Sequence, residues 1–467
     1  MTKTFLLTSF LVLQFTDCIG KQKVVYVSSS EGDDNNDGLT SEAPVKTIAQ
    51  GSKLSETLLL KCGDVFYETI KITRSKISSY GKGKKPIICG WKRIITPNWE
   101  FVGKNIWKIS LKDENFSGYK IGEDYLLNNI GCIHEYDKDS IHGRKVQFKS
   151  QLKDEWDIWQ TSHYREVDIE KHDFDSLYLK CCGDPNELKL EFSVGITGVA
   201  IEKSTIEHIR IEGFGKHGIV PKSHTKIQDC EIDAIGGMTQ ITDNEFVSLG
   251  NGIEFWLYKD IEDCLVKKCL VTRCYDCAMS IQGQKKGRAL PRQIFFKNNV
   301  IIDCCQGWED FLNNESVYEY DRCYFQNNIV INSGKTAGFN YPSRMKYCHV
   351  LGNNVVRERG MVIKKNLFVG GNYYCSGSCN GSYKSNKWID NICILKQGDY
   401  ILSDYLGRED VLRIPVEGNI FEGENDTNVI IDRYRQLTGD SSTKFVVMDQ
   451  GDIENLILQY KSKYLNR

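Results

Sequence analysis

Glu254 and Glu309 stand at matching places in two short segments, Asn251-Gly252-Ile253-Glu254-Phe255-Trp256 and Gln306-Gly307-Trp308-Glu309-Asp310-Phe311. Each glutamate follows an apolar residue, and an aromatic residue lies two positions beyond it. If the apolar residue faces inward on a strand, the glutamate and the second aromatic face outward together. Paired carboxylates beside exposed aromatic rings suit polysaccharide cleavage: one carboxyl gives a proton to the glycosidic oxygen, the other activates water or attacks. The rings stack on the C–H faces of sugars.

The two segments belong to a series. Gly or Ala followed by a large apolar residue recurs at His217-Gly218-Ile219, Asn251-Gly252-Ile253, Cys277-Ala278-Met279, Gln306-Gly307-Trp308, Ala337-Gly338-Phe339 and Arg359-Gly360-Met361. The spacings are 34, 26, 29, 31 and 22 residues, which match no helical period but do match the repeat length of a solenoid. Aligning the copies predicts one outward column of Val220, Glu254, Ser280, Glu309, Asn340 and Val362. A second reads Lys222, Trp256, Gln282, Phe311, Pro342 and Lys364. Glu254 and Glu309 are then two coils apart, about 9–10 Å between Cα atoms. Inverting glycosidases hold their carboxyl groups ~6.5–9.5 Å apart.

Three further groups complete the candidate set. Asp310 alternates inward, where burial would raise its pKa, unless a bulge exposes it. Lys285 and Arg288, in the loop that overhangs the same face, could hold a uronate carboxylate and take its α-proton, which is lyase chemistry. His217 lies one coil below Glu254 with inward strand parity. Trp256, Gln282, Asn340, Lys285, Arg288 and His217 are thus candidate substrate contacts, and Glu254, Glu309 and Asp310 candidate catalytic groups.

A second series interleaves with the first: Asp229-Cys230, Lys268-Cys269, Asn298-Asn299, Asn327-Asn328, Asn353-Asn354 and Gly371-Asn372. Asn tolerates the left-handed backbone of a tight turn, and its amide can bond the same amide one coil away. The expectation is an all-β parallel β-helix with an Asn ladder at one corner. Residues 21–93 would form an N-terminal cap and first coils, and aromatic-rich 94–190 an inserted, mostly antiparallel module. Residues 191–395 would be the main coil, and 396–467 a tail with helices near Asn428 to Leu437 and Ile453 to Tyr464.

Composition narrows the partners. A net charge of −2 over 467 residues argues against nucleic acid or an anionic membrane surface. Lys3 followed by the apolar run Phe5 to Phe15 reads as a secretory signal, cut near Gly20, giving a secreted or periplasmic protein with no membrane span. The cysteines, 18 in all, are expected to act as small buried hydrophobes stacked in the coil rather than as a disulfide framework. Asp33, Asn35 and Asp37 match the opening of a calcium loop, but Pro44 occupies its closing position, so no cofactor is expected. The protein is expected to act as a monomer on a polysaccharide.

Tyr26-Val27-Ser28, Gly32-Asp33, Asp37-Gly38, Pro44, Thr47-Ile48 and Gly63-Asp64-Val65-Phe66-Tyr67, together with the Asn ladder, resemble exported right-handed parallel β-helix proteins of the pectate-lyase-like superfamily. The resemblance covers most of residues 24–395. It implies a three-faced coil and, commonly, a lyase, hydrolase or epimerase acting in a groove along one face. Lys216-His217-Gly218 resembles the Gly-His-Gly of polygalacturonases, with Lys216 in place of the first Gly and no Asp-Asp pair before it. Three functions stay open: a glycoside hydrolase, a uronan lyase, or a glycan-binding protein that keeps the scaffold alone.

Overall fold

The computed structural model describes residues 23–465 apart from 95–96, 112–128, 147, 161–175, 243–244, 284–286, 313–315, 318, 335–348, 353–358, 372, 378–384, 405–411 and 414–426. Its centre is three ten-stranded sheets, parallel throughout except for one terminal pair. The chain visits them in rotation. Thr205–Glu207 lies on face one, Arg210–Glu212 on face two and Ile219–Pro221 on face three; Lys226–Gln228, Glu231–Ile235 and Ile253–Trp256 repeat the cycle. A strand order that returns to the same face every third strand is a parallel β-helix.

Apolar columns fill the coil. On face three Ile219, Ile253, Met279, Trp308, Val350 and Cys375 stack in register and are buried. Four of the six aligned signature copies therefore share a column. Phe339 lies outside the described residues. Met361 does not belong there: it leads into Val362–Lys364, which pairs with Tyr324–Gln326 on face one. The column is continued instead by Val350, where no Gly-apolar signature marks the strand, because any β-branched residue fills the same space.

The corner between faces one and two carries the ladder. Asp229, Lys268, Asn298, Asn327, Lys365 and Asp390 all have φ of 50° to 56°, the left-handed turn that lets the strand direction change in one residue. The next residue points inward. Asn299 donates to Asn328 Oδ1 through its backbone N–H (2.9 Å) and its side chain (3.0 Å). Asn328 does the same to Asn366 (2.9 and 3.1 Å), and Asn366 to Asn391 (3.1 and 3.0 Å). The upper rungs are thus Asn366 and Asn391. Of the pair Gly371-Asn372, Gly371 follows the face-two strand Leu367–Val369 rather than leading into it, and Asn372 lies outside the described residues. Asn353-Asn354 lies outside the described residues. Cys230 and Cys269 take the lower rungs as buried thiols, as expected for small hydrophobes, and none of the described cysteines is in a disulfide.

Both ends and one side are covered. Helix Ile48–Leu54, N-capped by Thr47 through a 3.0 Å bond from the Gln50 N–H, buries Ile48 and Gly51 over the first coil. Gly32 sits where a Cβ would lie 2.3 Å from the Val45 carbonyl oxygen, so only glycine lets the cap loop close. Residues between Trp91 and Val194 form two mainly antiparallel sheets beside the coil. At the other end Tyr434 of helix Thr427–Thr438 packs on Tyr374 and Phe445. Helix Gln450–Leu465 lays Ile453 and Ile457 against Ile302, Ile331 and Val369 of face two. Val429 and Leu458, apolar residues within these two helices, are exposed.

Candidate active site

On face three the strands Ile253–Trp256, Cys277–Gly283 and Gln306–Leu312 run side by side. The register Glu254–Ser280–Glu309 and Trp256–Gln282–Phe311 is the one read from the sequence. Two strand spacings separate the glutamates, about 9–10 Å between Cα atoms. Their exposure differs from the expectation. Glu254 and Glu309 are each only 4% exposed, because neighbouring polar groups occupy the outward space. Asn251 Nδ2 donates to Glu254 Oε1 at 3.0 Å, and His217 Nε2 lies 3.2 Å from Glu254 Oε2. Gln282 Nε2 donates to Glu309 Oε2.

His217 reaches this position because the strand of its coil starts only at Ile219, so the preceding turn sends the imidazole outward despite inward parity. It is buried and its Nδ1 finds no partner. Burial, helped by Lys216, pushes its pKa down to about 3, so it acts as a neutral hydrogen-bonding group.

Burial dominates the carboxyl groups too. It raises Glu254 to about 7; the Asn251 bond and Lys216 oppose this, and Asp276 adds to it. Glu309 is held well above the ordinary range by burial, then by the charges of Asp276, Glu254 and Asp310, with the Gln282 bond opposing. Asp276, on the turn before Cys277, is itself raised to about 7 by burial. Asp310 is fully buried and faces Ile281 and Gly352 without a bulge. It belongs to the inner layer, where its charge bears on Glu309 and its carboxyl does not join the outward column. Carboxyl groups this close cannot all ionise near neutrality.

An aromatic rim borders the acids. Trp256 is half-buried, Phe311 is 40% exposed and Tyr258 is 68% exposed, with the Trp256 and Tyr258 rings 6.0 Å apart. Ser280 Oγ, between the two glutamates in the column, and Trp256 Nε1 are buried without a partner. Such atoms hold hydrogen-bonding capacity for a water or a ligand. Lys285 and Asn340 lie outside the described residues, and Arg288 is placed on the short strand Gly287–Arg288 paired with Ser316–Val317.

Sequence reasoning missed Asn251, Asp276 and Tyr258. Asn251 and Asp276 sit on turns, where strand parity gives no direction. Tyr258 lies two residues beyond Trp256, so continuing the outward alternation by one step would have found it. At the N-terminal cap, Asp33 Oδ1 accepts from the Asn35 N–H and side chain, both at 2.9 Å, and Asp37 Oδ1 from the Leu39 N–H at 2.9 Å. These are Asx-turns. Among the described residues no three His, Cys, Asp or Glu side chains are grouped to hold a metal.

No protein-family model matches the chain, and no curated protein matches it. Solved structures do. A GH136 lacto-N-biosidase from Eubacterium ramulus is 13% identical with a TM-score of 0.37, over 80% of this chain and 64% of that one. XylC in complex with xylose is 13% identical with a TM-score of 0.38, over 82% and 69%. A structure described as a glycoside hydrolase is 9% identical with a TM-score of 0.44, over 82% and 94%. The chain thus spans less than two thirds of the length of the lacto-N-biosidase. At these identities the likeness assigns no residue a role.

Proposed function

We propose that the protein is an exported glycoside hydrolase, acting on a polysaccharide by inversion at the anomeric carbon. The observation that carries this reading is the Glu254–Glu309 pair: two buried carboxyl groups two coils apart in one column, beside an open aromatic rim. A Cα separation of about 9–10 Å accommodates the ~6.5–9.5 Å carboxyl spacing of inversion, with room for a water, more readily than the ~5–5.5 Å of a covalent intermediate. Glu309, whose carboxyl burial holds well above the ordinary range, serves as general acid. Glu254, at about 7, is the first of the two to ionise and serves as general base. Trp256, Tyr258 and Phe311 stack on the sugar, and Ser280, Gln282 and His217 bond its hydroxyls. Export rests on the apolar run Phe5 to Phe15.

The test is turnover on a panel of polysaccharides, following new reducing ends and absorbance near 235 nm. The expected result is reducing ends without absorbance, with Glu254→Gln and Glu309→Gln each slower by ~100-fold or more. Unsaturated products, or variants as fast as the parent, would overturn the assignment.

A further inference from the structure

Face two carries a groove of about 700 Å³, on a different sheet from the carboxylates. Its floor is the outward column Leu270, Val300 and Ile329, three half-buried aliphatic side chains in register. One edge is the left-handed corner, where Asn298 and Asn327 point their amides outward one coil apart. Two separate elements wall the ends. The turn at Asp139 of the antiparallel module is pinned by Arg273, which donates to its carbonyl at 3.1 Å and its carboxylate at 2.9 Å. The helix Gln450–Leu465 is pinned by Lys461 on Asp303 at 2.6 Å and ends in Tyr464 at the groove. The volume falls within the range of preformed ligand sites.

The lining chooses the ligand. Five acidic and four basic side chains border the groove, and they pair mainly with one another. Arg210 bonds Asp233 at 2.8 Å, Lys85 lies 3.1 Å from both Asp229 and Glu231, and Arg273 bonds Asp233. Lys268, exposed on the corner one coil below Asn298, is the one cation of the lining outside these pairs, against five carboxylates, so the groove offers no cluster of free cations to hold a phosphate or a uronate and no acidic excess to hold a polybasic segment. The floor is the face of a sheet, not an edge, so an extended peptide finds no backbone ladder to join. What remains is an aliphatic strip, an aromatic ring at one end and a row of amides spaced about 4.8 Å apart. Those features fit a ligand with apolar C–H faces, hydroxyl edges and no charge.

We propose that this groove binds a neutral saccharide chain, independently of the carboxylate site. The amides of Asn298 and Asn327 bond successive sugar units, Leu270, Val300 and Ile329 support their C–H faces, and Tyr464 stacks at the end. Such a site would hold the protein on its polymer while another face works.

The experiment measures binding of the full chain to immobilised neutral hexasaccharides of gluco, manno and galacto configuration, with oligogalacturonate as the anionic control. Three variants are compared with the parent. Asn298→Gly combined with Asn327→Gly removes the amides and keeps the positive φ. Tyr464→Ala removes the ring from the last turn of the helix, where it packs at the margin of the cluster between that helix and face two, so its melting temperature is compared with that of the parent. Glu309→Gln removes proton transfer on the other face and leaves its stacking rings in place. The expected result is binding to at least one neutral hexasaccharide, weakened tenfold or more in both groove variants and unchanged in Glu309→Gln. Absence of neutral binding, preference for oligogalacturonate, or binding kept in both groove variants would overturn it. None of these outcomes depends on whether the carboxylate site hydrolyses anything.

Discussion

Glu254 faces two demands, ionisation for chemistry and neutrality for burial, and the two set opposite pH dependences. As a base it works only when ionised, so the rate should climb as pH rises through about 7. As an acid Glu309 works only when protonated, and its pKa is raised well above the ordinary range, so the falling limb lies at higher pH. A kcat/KM profile that is flat below pH 7 would refute this assignment of roles. Stability runs the other way. The folded pKa of Glu254 lies above its ordinary value of 4.5, so its favourable contribution is complete below pH 4.5 and lost as pH rises through about 7. The loss amounts to up to about 3 kcal/mol. Glu254→Gln should therefore melt at a higher temperature than the parent at pH 8 and show no such advantage at pH 4.5, as calorimetry at the two pH values would reveal. The column is legible in the residue pattern, but its burial is not. Strand alternation orders Glu254, Ser280 and Glu309 on one face, whereas His217 and Asn251 reach Glu254 from turns, and turns have no period to read.

The ladder shows which part of a repeat is legible and why. Asn298-Asn299 and Asn327-Asn328 announce themselves because two adjacent positions ask for different things: a left-handed backbone, then a buried amide that both donates and accepts. Above them the first demand is met by Lys365 and Asp390 (φ 53° and 51°), so the paired Asn signature disappears while the corner persists. The same economy hid Val350 from the apolar series. The division of labour is testable. Asn328 Oδ1 accepts two bonds from Asn299, and its Nδ2 donates to the Phe296 carbonyl at 3.1 Å and to Asn366. Asn328→Ala strands these partners in the core, at about 1–3 kcal/mol for each buried group left unpaired. Asn327→Gly keeps the positive φ that Asn itself only tolerates and should change stability by less than ~0.5 kcal/mol. Chemical denaturation of the two variants should differ by several-fold in ΔΔG; equal effects would show that the amide stack contributes nothing.

At the scale of the whole chain, the antiparallel module and the helical tail pack on the coil through apolar side chains, and charged contacts cross the same joints. Arg273 is the clearest of them. Its guanidinium bonds Asp233 of the coil, which is buried and also takes bonds from Arg210 (2.8 Å) and Thr272 (2.6 Å), while another nitrogen reaches Asp139 of the module at 2.9 Å. The pKa of Arg273 is pushed up: burial opposes its charge, but Asp233 and Asp139 outweigh that. On the module side, burial likewise opposes the charge on His134, yet Asp139 and Glu191 raise it to about 9. A solenoid is stabilised mainly by contacts between neighbouring coils, so the coil does not need the module in order to stay folded. Breaking this one joint should loosen the module and leave distant coils alone. Arg273→Met keeps much of the side-chain volume and deletes the charge, leaving Asp233 with Arg210 and Asp139 with His134. Because one partner of a buried pair is removed, the local loss should be on the order of 3 kcal/mol. Hydrogen exchange should accelerate in Ile130–Glu135 and Ser140–His142, and in the neighbouring strand Glu231–Ile235, while Leu367–Val369 and Ile392–Lys396 remain protected. Uniform acceleration along the chain would mean that the module and coil unfold as one unit and that Arg273 is not a joint between separable parts.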